Sequence, residues 1–444
     1  MKCSLGGVYL QNATRTNIRS NVFLTYVNTD KFKVNTISIN VLCPLTQETA
    51  PKNALIPRVL RRGTISLPDM KSISEYLDEL YGARIEPIVR KKGEVQSVGF
   101  FADFIDDRLI PDGDNILEKV VALLGELMLS PNTSGGLLRA EYVESEKANL
   151  ADEINALINE KRSYSMNRLI ELMCPGESFN VHKLGDAERA QAITPLSLTK
   201  HYREILASSK IEIVYCGGAD RTRLETALKR AFSTLTRNDT AVELSTDIRI
   251  EPISEDPRQF TETLDVGQGK LVIGFRVGEA MKRSNYAELA VFNALFGGSV
   301  TSKLFLNVRE KLSLCYYASS VIEKHKGVML VASGVEFEKF SEAFDEILCQ
   351  LEDVKNGEIS DFELDAASLA AANGILTSLD TPSGMEELYF DGILGEDKNP
   401  PEELAARCRA ISKSEVAAVA RGVKLDAVYY LTGIGGDIRG KEVI

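Results

Sequence analysis

The sequence predicts an α+β fold of two homologous lobes, each with a mainly antiparallel sheet covered by helices. First, its 444 residues exceed what one ordinary hydrophobic core holds, which favours two domains. Second, runs rich in β-branched and aromatic residues alternate with segments of helical spacing. Third, one order of elements (helix, tight turn, strand, basic turn with glycine, strand) occurs twice, in "LDELYGARIEPIVRKKGEVQSVGFF" and in "NVREKLSLCYYASSVIEKHKGVMLVASG".

The first half predicts strands, helices, a hairpin and further helices. Residues 19–43 carry two strand-like runs, and the helical patterns "TAPKNALIPRVLRR" and "MKSISEYLDELYGA" follow, with Gly82 as the stop of the second. Two strands around Lys-Lys-Gly-Glu precede an apolar helix, "NILEKVVALLGELML", and a long charged helix from near Leu137 to just before Pro175. The strand "KIEIVYCGG" and the helix "RTRLETALKRAF", which Asp220 is placed to cap, complete this half.

A linker is predicted between the halves at residues 237–258. This segment is polar, contains two prolines and lacks sustained periodicity. The predicted domains are therefore 1–236 and 259–444. In the second, the strands "RQFTETLDV" and "GKLVIGFRV", a helix from Tyr286 to Leu295 and the strand "GVMLVASGV" repeat the order of the first.

Composition excludes several classes of protein. Hydrophobic residues make up 44% and charged residues 26%, and no apolar run approaches the roughly 20 residues of a membrane helix, so a soluble protein is predicted. The N-terminus lacks the features of a signal peptide, which indicates a cytoplasmic location. A net charge of −12 argues against nucleic acid as a partner. Seven scattered cysteines without a C-x-x-C pair are interpreted as buried free thiols.

Two short basic clusters, "RVLRRGT" and "VRKKGE", interrupt this acidic composition. Such clusters suit an acidic partner, but solvated faces of surface elements explain them more often. The expectation from sequence is therefore that both clusters are solvated.

Several landmarks occur in the order found in one family of peptidases. The second half contains "FGGSVTSKLFLNVREKLSLCYY", with paired glycines, Ser-x-Leu-Phe, Arg-Glu-Lys and a tyrosine seven residues after the arginine. The first half contains "RRGTISLPDMKSISEYLDELYGA", "VHKLGDAERAQAITPLSLTKHY" and "IEIVYCGGAD". Over nearly its whole length the chain resembles the insulinase and pitrilysin family of zinc peptidases, in particular bacterial chains of similar length with two homologous halves. The resemblance implies an insulinase-type fold, also called LuxS/MPP-like.

The zinc motif of that family is missing. Active members carry H-x-x-E-H on one helix, and counting back from the Gly-Thr pair places it at residues 54–58. Those residues are Ala54, Leu55, Ile56, Pro57 and Arg58. Alanine cannot coordinate a metal, arginine cannot be deprotonated, and proline stands where the catalytic glutamate would be.

No displaced motif replaces it. The only histidines are His182, His201 and His325, and none has another histidine at helical spacing. Glu146 falls near the position of the family's third ligand and is interpreted as an ordinary exposed helix residue. We expect no metal and no other cofactor.

The arginine and tyrosine of the second-half motif are Arg309 and Tyr316. The resemblance implies that they hydrogen-bond the substrate's backbone carbonyl and the developing oxyanion at the zinc of a first half. From residue types alone the alternative is structural, with Arg309 in a salt bridge and Tyr316 packed in a sheet. Tyr317 is expected to face the other side of its strand. Ser313 replaces the family's usual glycine after Arg-Glu-Lys.

The resemblance therefore implies a zinc-less, non-catalytic subunit that binds peptide and supplies Arg309 and Tyr316 to a partner subunit with an intact H-x-x-E-H motif. That partnership is a heterodimer or, alternatively, a homodimer. The competing hypothesis is a stand-alone peptide-binding or scaffold protein without peptidase activity. No serine–histidine, cysteine–histidine or paired-carboxylate arrangement indicates another enzyme class, and neither nucleic acid nor a membrane is an expected partner.

Overall fold

The computed structural model describes residues 9–10, 13–110, 114–238, 240–278, 286–395 and 399–433. The strands are β1 (Tyr9–Leu10), β2 (Ala13–Arg19), β3 (Val22–Asn28), β4 (Val34–Pro44), β5 (Arg84–Lys92), β6 (Val95–Ile105), β7 (Thr133–Ser134), β8 (Leu137–Leu138), β9 (Lys210–Gly217), β10 (Arg258–Thr263), β11 (Gly269–Arg276), β12 (Cys315–Glu323), β13 (Val328–Val335) and β14 (Lys424–Thr432). The α-helices are α1 (Ala50–Leu60), α2 (Met70–Glu79), α3 (Ile116–Leu129), α4 (Ala140–Ala156), α5 (Lys161–Met173), α6 (Ala187–Gln191), α7 (Pro195–Ser208), α8 (Arg221–Ala231), α9 (Tyr286–Asn293), α10 (Phe340–Asn356), α11 (Asp361–Ser378), α12 (Pro382–Gly395), α13 (Pro401–Ala410) and α14 (Lys413–Arg421). Two π-helical segments, Ala294–Gly298 and Leu304–Lys311, lie between α9 and β12.

The five strands of the second large sheet follow the same order as β3, β9, β4, β6 and β5 of the first. The first has the order β1-β2-β3-β9-β4-β6-β5, and the second has the order β10-β14-β11-β13-β12. β3 runs parallel to β9, as β10 does to β14, and the other pairs in both sheets are antiparallel. The predicted fold class, two mainly antiparallel sheets covered by helices, is confirmed.

By contacts the chain forms two compact units whose segments interleave. The first contains the described residues of Met1–Asn155, Val181–Ser245 and Ser378–Pro400, and the second contains those of Ala156–Asn180, Thr246–Thr377 and Pro401–Ile444. Helix α5 from the first half therefore belongs to the second unit, and α12 from the second half belongs to the first. The two helices are equivalent in the repeat, because each is the third α-helix after its hairpin. The domain limits drawn from sequence remain a prediction.

In the first unit, the sheet is covered on both faces. One face packs against the helices between the strands, in a core that includes Phe100 and Leu124. The other face packs against α12, where Tyr389 and Phe390 contact the cluster containing Leu42. Burial of apolar surface on both faces stabilises this sheet.

In the second unit, α5 packs on β11 and β14. Leu169 and Met173 of α5 form a buried cluster with Val272 and Tyr429. The approach is close, because a Cβ at Gly274 would lie 2.4 Å from the Met173 sulfur. Glycine at this position thus lets the helix reach the sheet.

The single long charged helix expected between Leu137 and Pro175 is wrong. α4 ends at Ala156, a 3₁₀ turn follows at Leu157–Asn159, and α5 begins after Glu160. The Glu160 carboxylate accepts a 2.6 Å hydrogen bond from the backbone N–H of Ser163 and so caps the new helix. Hydrophobic spacing continues through the break, but α4 and α5 belong to different units.

The expectation that the cysteines are buried free thiols holds for five of the six that the structure describes, but Cys349 is exposed. Cys3 lies outside the described residues. Within the described ranges, every helix is too short or too polar to span a bilayer.

Candidate functional site

Residues 54–58, the position of the family's zinc motif, lie within α1. Ala54 is fully buried, and Pro57 supplies no N–H inside the helix. The Arg58 guanidinium lies 2.7 Å from the Glu153 carboxylate on α4. Among the described residues, no group of three or more His, Cys, Asp or Glu side chains could hold a metal ion. The residues at this position do not fit zinc.

Glu146 is not the exposed helix residue expected from sequence. Its side chain is 13% exposed, and its Oε1 lies 2.8 Å from Arg62 Nη1. Arg62 in turn lies over the Tyr142 ring, 5.4 Å from its centroid. Glu146 is shielded because a cation that follows α1 lies directly beside it.

One cleft of about 630 Å³ in the first unit brings Arg58 and Glu146 together. It lies between the end of α1, the strand β5 and the loop before α6. The other charged residues that line it are Arg61, Arg62, Glu86, Arg90, Glu153 and Lys183. Neither Ala54 nor Pro57 lines this cleft.

The two basic clusters of the sequence meet at this cleft, so the expectation that both are solvated is wrong. Arg90 is 17% exposed and donates two hydrogen bonds, 2.9 and 2.8 Å long, to the buried Glu386 carboxylate of α12. Lys92 is 15% exposed and pairs with Glu387 and Asp391 of the same helix. Acidic side chains of α12 hold this cluster against the sheet.

Arg61 has hydrogen-bonding capacity that the described residues do not use. Its Nε donates a 2.9 Å hydrogen bond to Ile85 O on β5, whereas its Nη1 is buried and has no hydrogen-bond partner. Burial lowers the pKa of the Arg61 guanidinium, and the Glu86 carboxylate opposes this effect. The group stays cationic at neutral pH.

Two of the three histidines, His182 and His201, form hydrogen bonds within the protein. Burial, together with Lys91 and Lys183, lowers the pKa of His182 to about 4. Its Nδ1 accepts a 3.2 Å hydrogen bond from the Leu184 N–H. His201 Nε2 lies 2.7 Å from Asn53 Oδ1, and burial lowers its pKa as well. Neither histidine belongs to a group of described residues that could bind a metal ion.

Arg309 lies in the π-helical segment Leu304–Lys311, whose Leu304 and Val308 are fully buried. π-Helical turns occur frequently at functional sites. The Arg309 side chain is 40% exposed, lies over the Phe305 ring and has its Nε 3.4 Å from the adjacent Glu310 carboxylate. An exposed pair of this kind contributes little to stability.

Tyr316 lies on β12, the last strand of the second sheet, and is 61% exposed. The register with β13 shifts between Cys315 and Tyr317, so Tyr316 is the extra residue of a β-bulge. Bulges redirect side chains and are common beside active sites. Tyr316 therefore does not pack in the sheet, contrary to the structural alternative. The Tyr317 ring packs beneath Arg162 with a centroid distance of 4.5 Å, and the expectation that it faces the other side of the strand from Tyr316 stays a prediction.

Ser313 adopts a left-handed backbone conformation with φ of +51°. Glycine favours this conformation because it lacks a Cβ. The departure from the family pattern therefore places a serine where the backbone favours glycine.

Comparison with known proteins identifies the family. A family model described as the peptidase M16 inactive domain matches residues 192–370. The probable inactive metalloprotease YmfF of Bacillus subtilis is 34% identical over 411 residues, which cover 92% of this chain and 95% of YmfF. The chain belongs to the M16 peptidase family. This is the insulinase-type family expected from its sequence.

Solved structures agree with M16 membership. A conserved protein from Enterococcus faecalis V583 is similar with a TM-score of 0.86 and 27% identity, over 96% of this chain and 99% of that chain. A peptidase M16 inactive domain from Pseudomonas fluorescens has a TM-score of 0.75 and 14% identity, over 95% and 98% of the two chains. The second likeness shows the M16 fold alone.

The cleft of this M16 chain was not predicted from its sequence. Arg61, Arg90, Glu153 and Lys183 were not identified as candidate site residues, although the two basic clusters contain Arg61 and Arg90. The missing information was spatial, because residues 58–62 and 89–92 meet only after α1 packs beside the β5–β6 hairpin.

Proposed function

We propose that this chain is a non-catalytic M16 subunit that binds a peptide and supplies Arg309 and Tyr316 to the active site of a partner subunit carrying H-x-x-E-H. The observation that carries the proposal is the exposure of Tyr316 at a bulge on an edge strand. Its phenol forms no hydrogen bond with the described residues, so it is free to donate to a substrate. A phenol and a guanidinium held by a sheet and a helix are suited to stabilising an oxyanion.

The first half of the chain supplies no metal chemistry of its own. Ala54, Pro57 and Arg58 provide neither ligands nor a general base at the position where the family holds zinc. A catalytic zinc must then come from a chain of different sequence, which favours a heterodimer over a homodimer for this function. The six described cysteines are all free, which agrees with a cytoplasmic location for such a complex.

Peptide cleavage by mixed subunits tests the proposal. The chain is combined with an M16 chain containing H-x-x-E-H, and cleavage is compared for Tyr316→Phe, Arg309→Lys and the unmodified protein. Loss of one oxyanion donor lowers the rate by roughly 10² to 10³, and a lysine cannot reproduce the planar fork of arginine. Tyr81→Phe, at another exposed tyrosine, is the matched control.

Assembly of each variant is checked by size-exclusion chromatography. Normal assembly with unchanged turnover for both Tyr316→Phe and Arg309→Lys would contradict the proposal. The alternative function, a peptide-binding scaffold without peptidase activity, would then be favoured, because the cleft beside β5 belongs to the first unit alone.

A further inference from the structure

We infer that Arg162 of α5 is a positioning residue, which holds the bulge of β12 in the conformation that exposes Tyr316. This inference rests on the proposed function and names a residue that fixes its oxyanion donor in place. Three features of the second unit carry it: the bulge itself, the contacts of Tyr317 beside the bulge, and the anchoring of α5.

The conformation of the bulge depends on the residues that flank Tyr316. Cys315 lies opposite Val335 of β13 and Tyr317 lies opposite Gly334, so Tyr316 is the extra residue between two paired ones. The extra residue of a bulge is unpaired in the ladder, and the side chain of Tyr316 is exposed. The position of its phenol is therefore set by how firmly its paired neighbours are held.

Tyr317, the neighbour that follows the bulge, is held by three contacts. Its carbonyl oxygen accepts a 2.9 Å hydrogen bond from Ser333 Oγ on β13. Its ring lies against the backbone of Gly334, where an added Cβ would lie 2.6 Å from the ring atom Cε1. The Arg162 guanidinium lies over the same ring, 4.5 Å from its centroid. Of these three contacts, the one from Arg162 comes from outside the two strands.

Arg162 makes a second contact with β12, two residues further along the strand. Its Nη2 donates a 2.7 Å hydrogen bond to Ser319 Oγ, and side chains two residues apart share one face of a strand. Burial raises the pKa of the Tyr317 phenol to about 12, so the ring beneath the guanidinium is neutral at physiological pH. One planar guanidinium thus stacks on Tyr317 and hydrogen-bonds Ser319 at the same time.

The helix that carries Arg162 is anchored to the second sheet at both ends. Near its start, Tyr164 donates a 2.7 Å hydrogen bond to the Glu262 carboxylate on β10. At its end, Arg258 of β10 donates hydrogen bonds of 3.1 and 2.8 Å to the carbonyl oxygens of the last two residues of α5. Because β12 is the edge strand of this sheet and pairs with β13 alone among the described strands, an anchored arginine adds a support that no second strand supplies.

Hydrogen exchange measured by mass spectrometry on the full chain tests whether Arg162 fixes the bulge. Arg162→Ala should raise the exchange rates of the backbone amides in residues 315–319 about tenfold, because local opening no longer breaks two contacts. Arg162→Lys keeps the charge without the planar fork and should give intermediate rates. Arg168→Ala is the matched control on the same helix, because Arg168 pairs with Glu171 and Glu262, and the rates in residues 315–319 should stay unchanged.

Cleavage by the mixed subunits tests whether Arg162 acts through Tyr316. Arg162→Ala should lower kcat about tenfold and change KM less, because a displaced oxyanion donor weakens the transition state more than the ground state. Arg162→Ala combined with Tyr316→Phe should cleave as slowly as Tyr316→Phe alone, since a residue that positions a phenol has no effect once the phenol is absent. Losses that multiply in the double variant would overturn the positioning role.

Unchanged exchange at residues 315–319 in Arg162→Ala, or an equal increase in Arg168→Ala, would overturn the inference whatever the cleavage rates are. A normal kcat for Arg162→Ala beside an impaired Tyr316→Phe would overturn it as well. Normal cleavage by Tyr316→Phe itself would count against the proposed function, while hydrogen exchange alone still decides whether Arg162 fixes the bulge. Circular dichroism checks folding, and Ser319→Ala, which removes the hydrogen-bond acceptor of Arg162, replaces Arg162→Ala if that variant does not fold.

Discussion

Arg58 and Glu153 form an ion pair 2.7 Å long at the helix position where an active M16 peptidase carries its zinc motif. Glu153 is 49% exposed, so this pair contributes at most about 1 kcal/mol to stability. The arginine nevertheless changes the character of the site, because it places a permanent cation beside a carboxylate that would otherwise be available to a metal.

The purified chain is expected to bind no stoichiometric zinc. Arg58→His should not restore a site, because one imidazole beside Glu153 gives two donors and a catalytic zinc requires about three protein ligands. Inductively coupled plasma mass spectrometry after purification without chelators measures the content of both proteins. About one tightly held zinc per unmodified chain would contradict this prediction.

Replacing Tyr316 by phenylalanine is expected to change the free energy of unfolding by less than about 0.5 kcal/mol, because the phenol is exposed and makes no hydrogen bond among the described residues. Tyr429→Phe is the contrasting control. Tyr429 is 1% exposed and its hydroxyl donates a 2.8 Å hydrogen bond to Glu262, so its loss should cost about 1–3 kcal/mol. Urea denaturation compares the two; equal losses would mean that Tyr316 has a structural role.

Ser313→Gly is expected to stabilise the protein by up to about 1 kcal/mol, because glycine relieves the left-handed strain but gains entropy in the unfolded chain. Ser414→Gly, at an exposed position in the first turn of α14, should instead lower stability by up to about 1 kcal/mol. The shift in urea midpoint gives the sign for each variant. A loss of stability in Ser313→Gly would show that the serine side chain has a compensating contact.

Stability should fall as the pH is lowered from about 6.5 to about 4, partly because of His182. The folded chain holds this histidine neutral down to about pH 4, whereas the unfolded chain protonates it near its ordinary pKa of 6.5, so unfolding takes up a proton in this window. The contribution of His182 is fully present above pH 6.5 and amounts to at most about 3 kcal/mol.

His182→Gln should therefore flatten the stability profile across this window. NMR titration of the His182 ring gives the folded pKa directly, and urea denaturation of both proteins at several pH values gives the profiles. A titration midpoint near 6.5 in the folded protein would refute the assignment.

Much of the fold was predictable because local patterns and tertiary packing agree. The hairpin around Lys-Lys-Gly-Glu, the apolar α3 and the cap at Asp220 all occur as expected, the cap through a 2.8 Å hydrogen bond from the Arg223 N–H. The break at Glu160 was not predictable, because apolar residues continue at helical spacing through it. Only packing into separate units distinguishes α4 from α5.

The candidate site was predictable only in part. Sequence motifs located Arg309, Tyr316 and the position of the missing zinc motif, because these depend on residue identity at fixed spacing. The bulge at Tyr316 and the burial of Arg90 depend on a neighbouring strand and on the distant Glu386, which no local window contains. The same reason explains why the shielding of Glu146 by Arg62 was missed.

The exchange of α5 and α12 bears on how such a chain can change during evolution. Each sheet has one face covered by a helix encoded in the opposite half of the gene, so deletion of either half would strip an apolar surface from the half that remains. A lineage that loses its metal ligands therefore cannot discard the half that carried them. The half without metal ligands is therefore retained for packing alone, since its helix covers the sheet of the other half.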